Sequence, residues 1–159
     1  MKKLMAALIG LSLGVAAVCA WAQTAAKPDP DDEKLQGTWT VAAAEAEGMA
    51  LPAAVIAKIK LTFAKGKLTL GDGKDGEKYE YQLDSSKSPK HIDLTQRSEV
   101  LSKDSKKSVR VETKVGIFEL KGDELKLCYN DDDESKTRPT EFKSKAGTRM
   151  ISLTLKRMK

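Results

Sequence analysis

Leu35-Gln36-Gly37-Thr38-Trp39-Thr40 opens the folded part of this chain, and Leu153-Thr154-Leu155-Lys156-Arg157 closes it. Trp39 follows a glycine at the start of the first predicted strand. Arg157 stands near the end of the last. In a sheet that closes on itself, the first and last strands are neighbours. The indole then plugs one end of a barrel and the guanidinium lies across its face, a contact that contributes on the order of 0.5–2 kcal/mol. Gly37, Trp39 and Arg157 are therefore read as structural residues. They point to a barrel and a binding-module type of protein, and to no reaction.

The chain between these ends reads as strands. Trp39, Val41 and Ala43 share one face of a strand from Thr38 to Glu45. Lys60–Ala64 and Lys67–Leu70 flank Lys65-Gly66, a hairpin signal. Tyr79, Tyr81 and Leu83 alternate with Glu80 and Gln82, the period of a half-buried strand. His91–Leu94, Val109–Leu120, Leu125–Tyr129, Thr140–Phe142 and Met150–Arg157 follow. Leu51–Ala57 is the one helical candidate, with Pro52 near its first turn, where a missing N–H costs nothing. The spacing predicts an all-β, antiparallel barrel of about eight strands with one short helix. Closure also removes the edges that a sheet without disulfides exposes. An immunoglobulin-like sandwich is the competing fold, but its cysteine pair is absent and Trp39 comes too early.

Lys2 and Lys3, the apolar run Leu4–Val18 and the small-x-small Ala20-Trp21-Ala22 form a signal-peptide pattern over residues 1–22, with cleavage expected before Gln23. Export to the periplasm or beyond follows as the expectation. A lipoprotein site at Cys19 is the alternative, although Ala16-Ala17-Val18 fits that pattern poorly. No second apolar run follows, so no stable membrane insertion is expected after cleavage. Residues 23–34 carry two prolines and four acids and read as a flexible linker. The barrel domain is expected over 35–159. Of 28 basic residues, removal of Lys2 and Lys3 leaves 26 against 23 acidic, a formal charge of +3. Basic and acidic residues are interspersed and aromatics are few, which argues against a nucleic-acid partner.

Jointly and in order, a set of segments resembles a known family. They are Leu35-Gln36-Gly37-Thr38-Trp39, Leu51-Pro52, Lys60-Leu61-Thr62-Phe63, Ser88-Pro89-Lys90-His91-Ile92-Asp93-Leu94, Gly116-Ile117-Phe118-Glu119-Leu120, Gly122-Asp123-Glu124-Leu125-Lys126-Leu127-Cys128-Tyr129 and Arg138-Pro139-Thr140-Glu141-Phe142. The domain from Leu35 to Arg157 resembles the uncharacterised lipocalin-like domain abundant in planctomycete bacteria. The resemblance implies a lipocalin-like barrel and an exported setting. It carries over no catalytic residue. Ser98–Lys107, long and lysine-rich, departs from the shorter loop expected there.

No catalytic constellation is legible. His91 is the only histidine and has no nucleophile beside it. Cys128 is the only cysteine after cleavage, too few ligands with His91 for a zinc site. Alternation turns Cys128 away from Leu125 and Leu127, which places a semi-buried thiol near the surface or under a neighbouring segment. Asn130–Glu134 and Gly71–Gly76 lack the spaced ligands of a calcium loop. No metal and no cofactor are expected. Arg138 reads as a structural cation pairing with Glu141 or Asp93. The expected function is a non-enzymatic binding module, with a small apolar molecule as ligand inside a lining of Trp39, Val41, Leu61, Phe63, Leu68, Tyr79, Tyr81, Ile117, Leu125, Leu127 and Tyr129. The alternative is a structural or protein-interaction module of the cell envelope with a filled core. An open apolar cavity favours the first and a closed dry core the second.

Overall fold

The computed structural model describes residues 28–71, 76–101, 107–132 and 134–159. The expected signal peptide, its expected cleavage site and Cys19 lie outside these residues. The described chain runs α1 (Asp32–Leu35), β1 (Gly37–Ala46), β2 (Met49–Ala50), α2 (Ala53–Ile56), β3 (Lys60–Ala64), β4 (Lys67–Leu70), β5 (Glu77–Asp84), β6 (Lys90–Leu101), β7 (Lys107–Lys121), β8 (Glu124–Asn130) and β9 (Met150–Arg157). Consecutive strands from β3 to β9 pair antiparallel. β1 pairs with both β3 and β9, which closes an eight-stranded barrel, and β2 extends β1 as a ninth strand. The all-β, lipocalin-like antiparallel barrel expected from the sequence is the fold.

Local chemistry sets the turns. Lys65 (φ 50°) and Gly66 (φ 75°) both take left-handed backbone between β3 and β4, the sign pattern of a type I′ hairpin. α2 begins after Pro52, whose carbonyl accepts from the Val55 and Ile56 N–H groups. Its position inside Leu51–Ala57 agrees with the sequence.

Four expectations need correction. Among the described residues two short helices are present, not one. The stretch from Pro28 to Lys34, read as flexible linker, is folded onto the barrel as α1 and its approach. Asp31 there is 5% exposed, so this polar sequence is held by specific bonds rather than by apolar burial. Ala43 is exposed. A register shift between Val41 and Ala43 against β9 inserts one residue into β1 and turns Ala44 inward instead. Thr140–Phe142 is not a strand. The described residues between β8 and β9 cross the outside of the barrel, and Pro139 and Ser144 among them are buried against it.

The interior is continuous from one end to the other. Leu35, Trp39, Val41, Leu61, Phe63, Leu68, Tyr79, Tyr81, Ile92, Leu94, Phe118, Leu125, Leu127, Leu153 and Leu155 form one buried cluster. Phe63 and Tyr81 meet edge to face at 5.3 Å. A smaller apolar layer lies outside the wall. Val115, Ile117 and Cys128 sit there under the crossing segment, and the Cys128 sulfur lies 3.8 Å from the Lys143 carbonyl. The thiol is therefore fully buried, not semi-buried. Burial pushes it up to about 11, above the ordinary thiol range. Cys128 should resist Ellman's reagent at pH 8 in the folded protein and react within the mixing time in denaturant. Fast reaction under native conditions would show that the crossing segment opens readily.

Candidate functional site

The end of the barrel near α1 is sealed. Trp39 and Arg157 are register partners on β1 and β9. The guanidinium carbon stands 4.2 Å from the indole centroid, and the Trp39 Nε1–H donates to the Leu35 carbonyl at 2.9 Å. Arg157 also donates to the carbonyls of Lys34 and Gln36, which ties α1 to the last strand. Gly37 (φ 118°) leaves room for this guanidinium, since a Cβ would lie 3.1 Å from its Nη1.

Polar groups complete the seal. The Tyr81 hydroxyl donates to Asp32 at 2.5 Å and accepts from Gln36 at 2.8 Å. Burial, with the Asp32 carboxylate adding, pushes the phenol up to about 12. Asp31 pairs with Lys90 and accepts from the Ser85 hydroxyl at 2.9 Å. The hydrogen bond from Lys90 holds the Asp31 carboxyl below the usual carboxylate range. Burial opposes this, while Ser85 and Lys34 add to it. A carboxylate whose folded pKa is depressed stabilises the fold above its unfolded pKa, and that stability is lost as pH falls through the folded value. Asp31→Asn should therefore cost about 1–2 kcal/mol at neutral pH, a figure reduced because Lys90 is partly in solvent. The gap between variant and wild type should narrow as pH falls below the ordinary carboxylate value and go on narrowing towards the depressed folded value. Thermal melts from pH 7 to pH 2.5 check this; a gap independent of pH would mean that shape, not charge, matters at Asp31.

The opposite end is the mouth. Leu70, Tyr79, Leu94, Lys114 and Tyr129 surround a cavity of about 10 Å³, with Leu61, Leu68, Leu127 and Leu153 below. Lys114 points inward on β7, pairs with Asp131, and lies 5.8 Å from the Tyr79 ring centroid. The Tyr79 hydroxyl donates to Glu77 at 2.6 Å. Burial pushes both the Tyr79 and Tyr129 phenols well above their ordinary value; the Glu77 carboxylate adds at Tyr79 and the Asp131 carboxylate at Tyr129. Both hydroxyls are neutral and protonated at any physiological pH. Among the described residues, no group of three or more His, Cys, Asp or Glu side chains could hold a metal ion.

The expected lining divides as follows. Trp39, Val41, Leu61, Phe63, Leu68, Tyr79, Tyr81, Leu125 and Leu127 all belong to the interior cluster, and Tyr129 packs against it. Ile117 does not. It opposes His91 on β6 and Cys128 on β8, while its neighbour Phe118 opposes Lys90 and Leu127 and points inward. Alternation through Gly116 puts Ile117 in the outer layer, where the crossing segment buries it. Arg138 belongs to that segment and pins it. Its Nη2 donates to Asp93 at 2.7 Å, and its Nη1 to the carbonyls of Gly116 (2.6 Å) and Ile92 (3.2 Å). Of the two carboxylates expected for it, Asp93 is the partner, and Glu141 pairs with Lys145 at 2.5 Å.

Sequence reading missed the inward lysines. Lys90 and Lys114 stand in the same phase as Ile92, Leu94 and Phe118, and a lysine in an apolar phase was the available signal. It also missed how far β6 and β7 run. They stay paired from Lys90↔Phe118 to Leu101↔Lys107, so Ser98–Lys107 begins and ends as strand. Beyond Gln96 and Glu112 both strands leave the barrel wall as a two-stranded ribbon. Its outer face bares Leu101 (69% exposed), Val109 (64%) and Val111 (55%). Comparison of the chain with family models, curated proteins and solved structures yields no match.

Proposed function

We propose that this chain acts as an exported, non-enzymatic interaction module, a barrel with a filled core whose working surface is the β6–β7 ribbon. The observation that carries this reading is the interior. Its cavity of about 10 Å³ has space for one water molecule at most, whereas ligand pockets run to roughly 300–1,000 Å³. The ribbon adds support, because contiguous apolar side chains left bare on a paired strand favour a contact. The export part of the reading rests on the signal-peptide pattern of residues 1–22. Arg157, Arg138 and Asp31 are engaged in holding the frame, whereas Leu101, Val109 and Val111 of the ribbon stand clear of the core.

Native mass spectrometry of protein purified from its own host tests the reading. The expected mass is that of the polypeptide alone, and titration with an apolar fluorescent probe should show no saturable binding. A stoichiometric small molecule released on denaturation would overturn the filled-core reading and favour a carrier of apolar ligands, with the mouth around Tyr79, Lys114 and Tyr129 as its door.

A further inference from the structure

We infer that a second copy of this chain pairs with the outer edge of β7 on the ribbon. This rests on the reading of the ribbon as the working surface. β8 ends at Asn130, and its last partner on β7 is Gly116. Among the described residues, no strand pairs with the β7 edge from Lys107 to Val115. The direction of the backbone along that edge follows from the ladder. The Tyr81 N–H donates back to Gly66 on the β4 side, so Gln82 turns its backbone towards β6 and bonds Asp93. Successive residues alternate direction, so even-numbered residues of β6 bond β7. Ser98 opposes Arg110. Arg110 and Glu112 therefore bond β6, and the N–H and C=O groups of Val109, Val111 and Thr113 point outward. The Thr113 carbonyl confirms this direction, since it accepts from the Lys136 Nζ at 2.9 Å from the crossing segment, a side-chain contact that a pairing strand displaces at this end of the edge.

An edge of this kind is a template for another strand, and this one is complementary to itself. An antiparallel partner with Val111 on the two-fold axis faces Val111 with Val111 as a reciprocal hydrogen-bonded pair. It sets Val109 opposite Thr113. It also sets Arg110 opposite Glu112 twice, as non-hydrogen-bonded pairs, where side chains come closest. Moving the axis by one residue either way opposes Arg110 with Arg110 or Glu112 with Glu112. Charge thus selects one register. Within one copy Arg110 and Glu112 already share a face, with Nε 2.5 Å from Oε1, so the assembled pair extends an existing ion pair into a square of four alternating charges. On the other face Val109 and Val111 of both copies meet side by side. Five residues per copy bury less than the roughly 1,200 Å² of a stable complex, so the association is weak and reversible.

Protein purified after expression of the full chain tests this by charge exchange and by cross-linking. Glu112→Arg and Arg110→Glu each place like charges across the axis. Each variant alone should sediment as a monomer at concentrations where wild type self-associates, and an equimolar mixture should regain the dimer. Val111→Cys should form a disulfide dimer at least roughly ten-fold faster than Val109→Cys, because only at Val111 do two copies bring equivalent Cα atoms to about 5.5 Å. Val109, Arg110 and Val111 are solvent-exposed and Glu112 is partly buried, and a thermal melt of each variant verifies folding. A monomeric wild type at millimolar concentration, an equimolar mixture that stays monomeric, or equal cross-linking rates would overturn the inference. Each of these results would leave the filled-core reading standing, since that reading fails only on a bound small molecule.

Discussion

Trp39→Ala should lower the unfolding free energy by about 3–5 kcal/mol, the largest loss expected from any single truncation in this barrel. Trp39 is fully buried and closes the sealed end. Truncation removes the indole from a packed interior that cannot collapse, because β1 is held by hydrogen-bonded strands on both sides. It also leaves the Leu35 carbonyl without its donor, and Arg157 without the ring it covers. Trp39→Phe keeps a ring under the cation and loses only the N–H and part of the volume, so it should cost about 1–2 kcal/mol. Urea titrations followed by far-ultraviolet circular dichroism measure both. In wild type the Trp39 emission should be blue-shifted and shielded from iodide. An alanine variant within about 1 kcal/mol of wild type would show that the indole is not the plug.

Gly116→Ala is the second large effect, at the upper end of the roughly 1–3 kcal/mol typical of overpacking. A Cβ at this position would stand 2.7 Å from the Cys128 carbonyl oxygen, 2.9 Å from the Tyr129 Cβ and 3.3 Å from the Ile92 Cγ2. The first two belong to β8, which is clamped between β7 and β9 and cannot step aside. The Gly116 carbonyl is also the seat of Arg138, so a shift of β7 disturbs the crossing segment. The same urea titration reads the loss. Faster reaction of Cys128 with Ellman's reagent in Gly116→Ala than in wild type would show that the damage reaches the outer layer. Wild-type stability in this variant would mean that β7 and β8 have slack the geometry denies them.

The barrel was legible because its signals are local and periodic. Tyr79 and Tyr81, Leu125 and Leu127, and Leu153 and Leu155 alternate with polar neighbours, and Trp39 and Arg157 mark strands that must meet if the sheet closes. The failures came where the period breaks or where polar bonds replace apolar burial. A one-residue shift in β1 exchanged Ala43 for Ala44, and no composition rule reveals it. Gly116 has no side chain to show which face its neighbours occupy, and Ile117 was placed on the wrong side of it. Asp29 and Asp31 looked like solvated linker acids. In the fold, the Ser85 N–H and hydroxyl bond Asp29, and Lys90 reaches Asp31. These partners are more than fifty residues distant, and no spacing rule finds them. The filled interior was beyond sequence reading altogether, because volume depends on how side chains from opposite walls interlock.

Pairing of β1 with β9 has a consequence for the order of events when the chain is made. Trp39 is synthesised early, but the strand that seals it arrives more than a hundred residues later. Contacts of such long range are slow to form, since the closure entropy must be met before any contact rewards it. Until β9 is in place, β1 and β8 are two bare edges of an open curved sheet, with the future core facing outward between them. Chains in this condition are the ones that find each other. The nearly finished molecule is therefore its most adhesive form, and a nascent chain stalled before Met150 should be the species that chaperones hold longest.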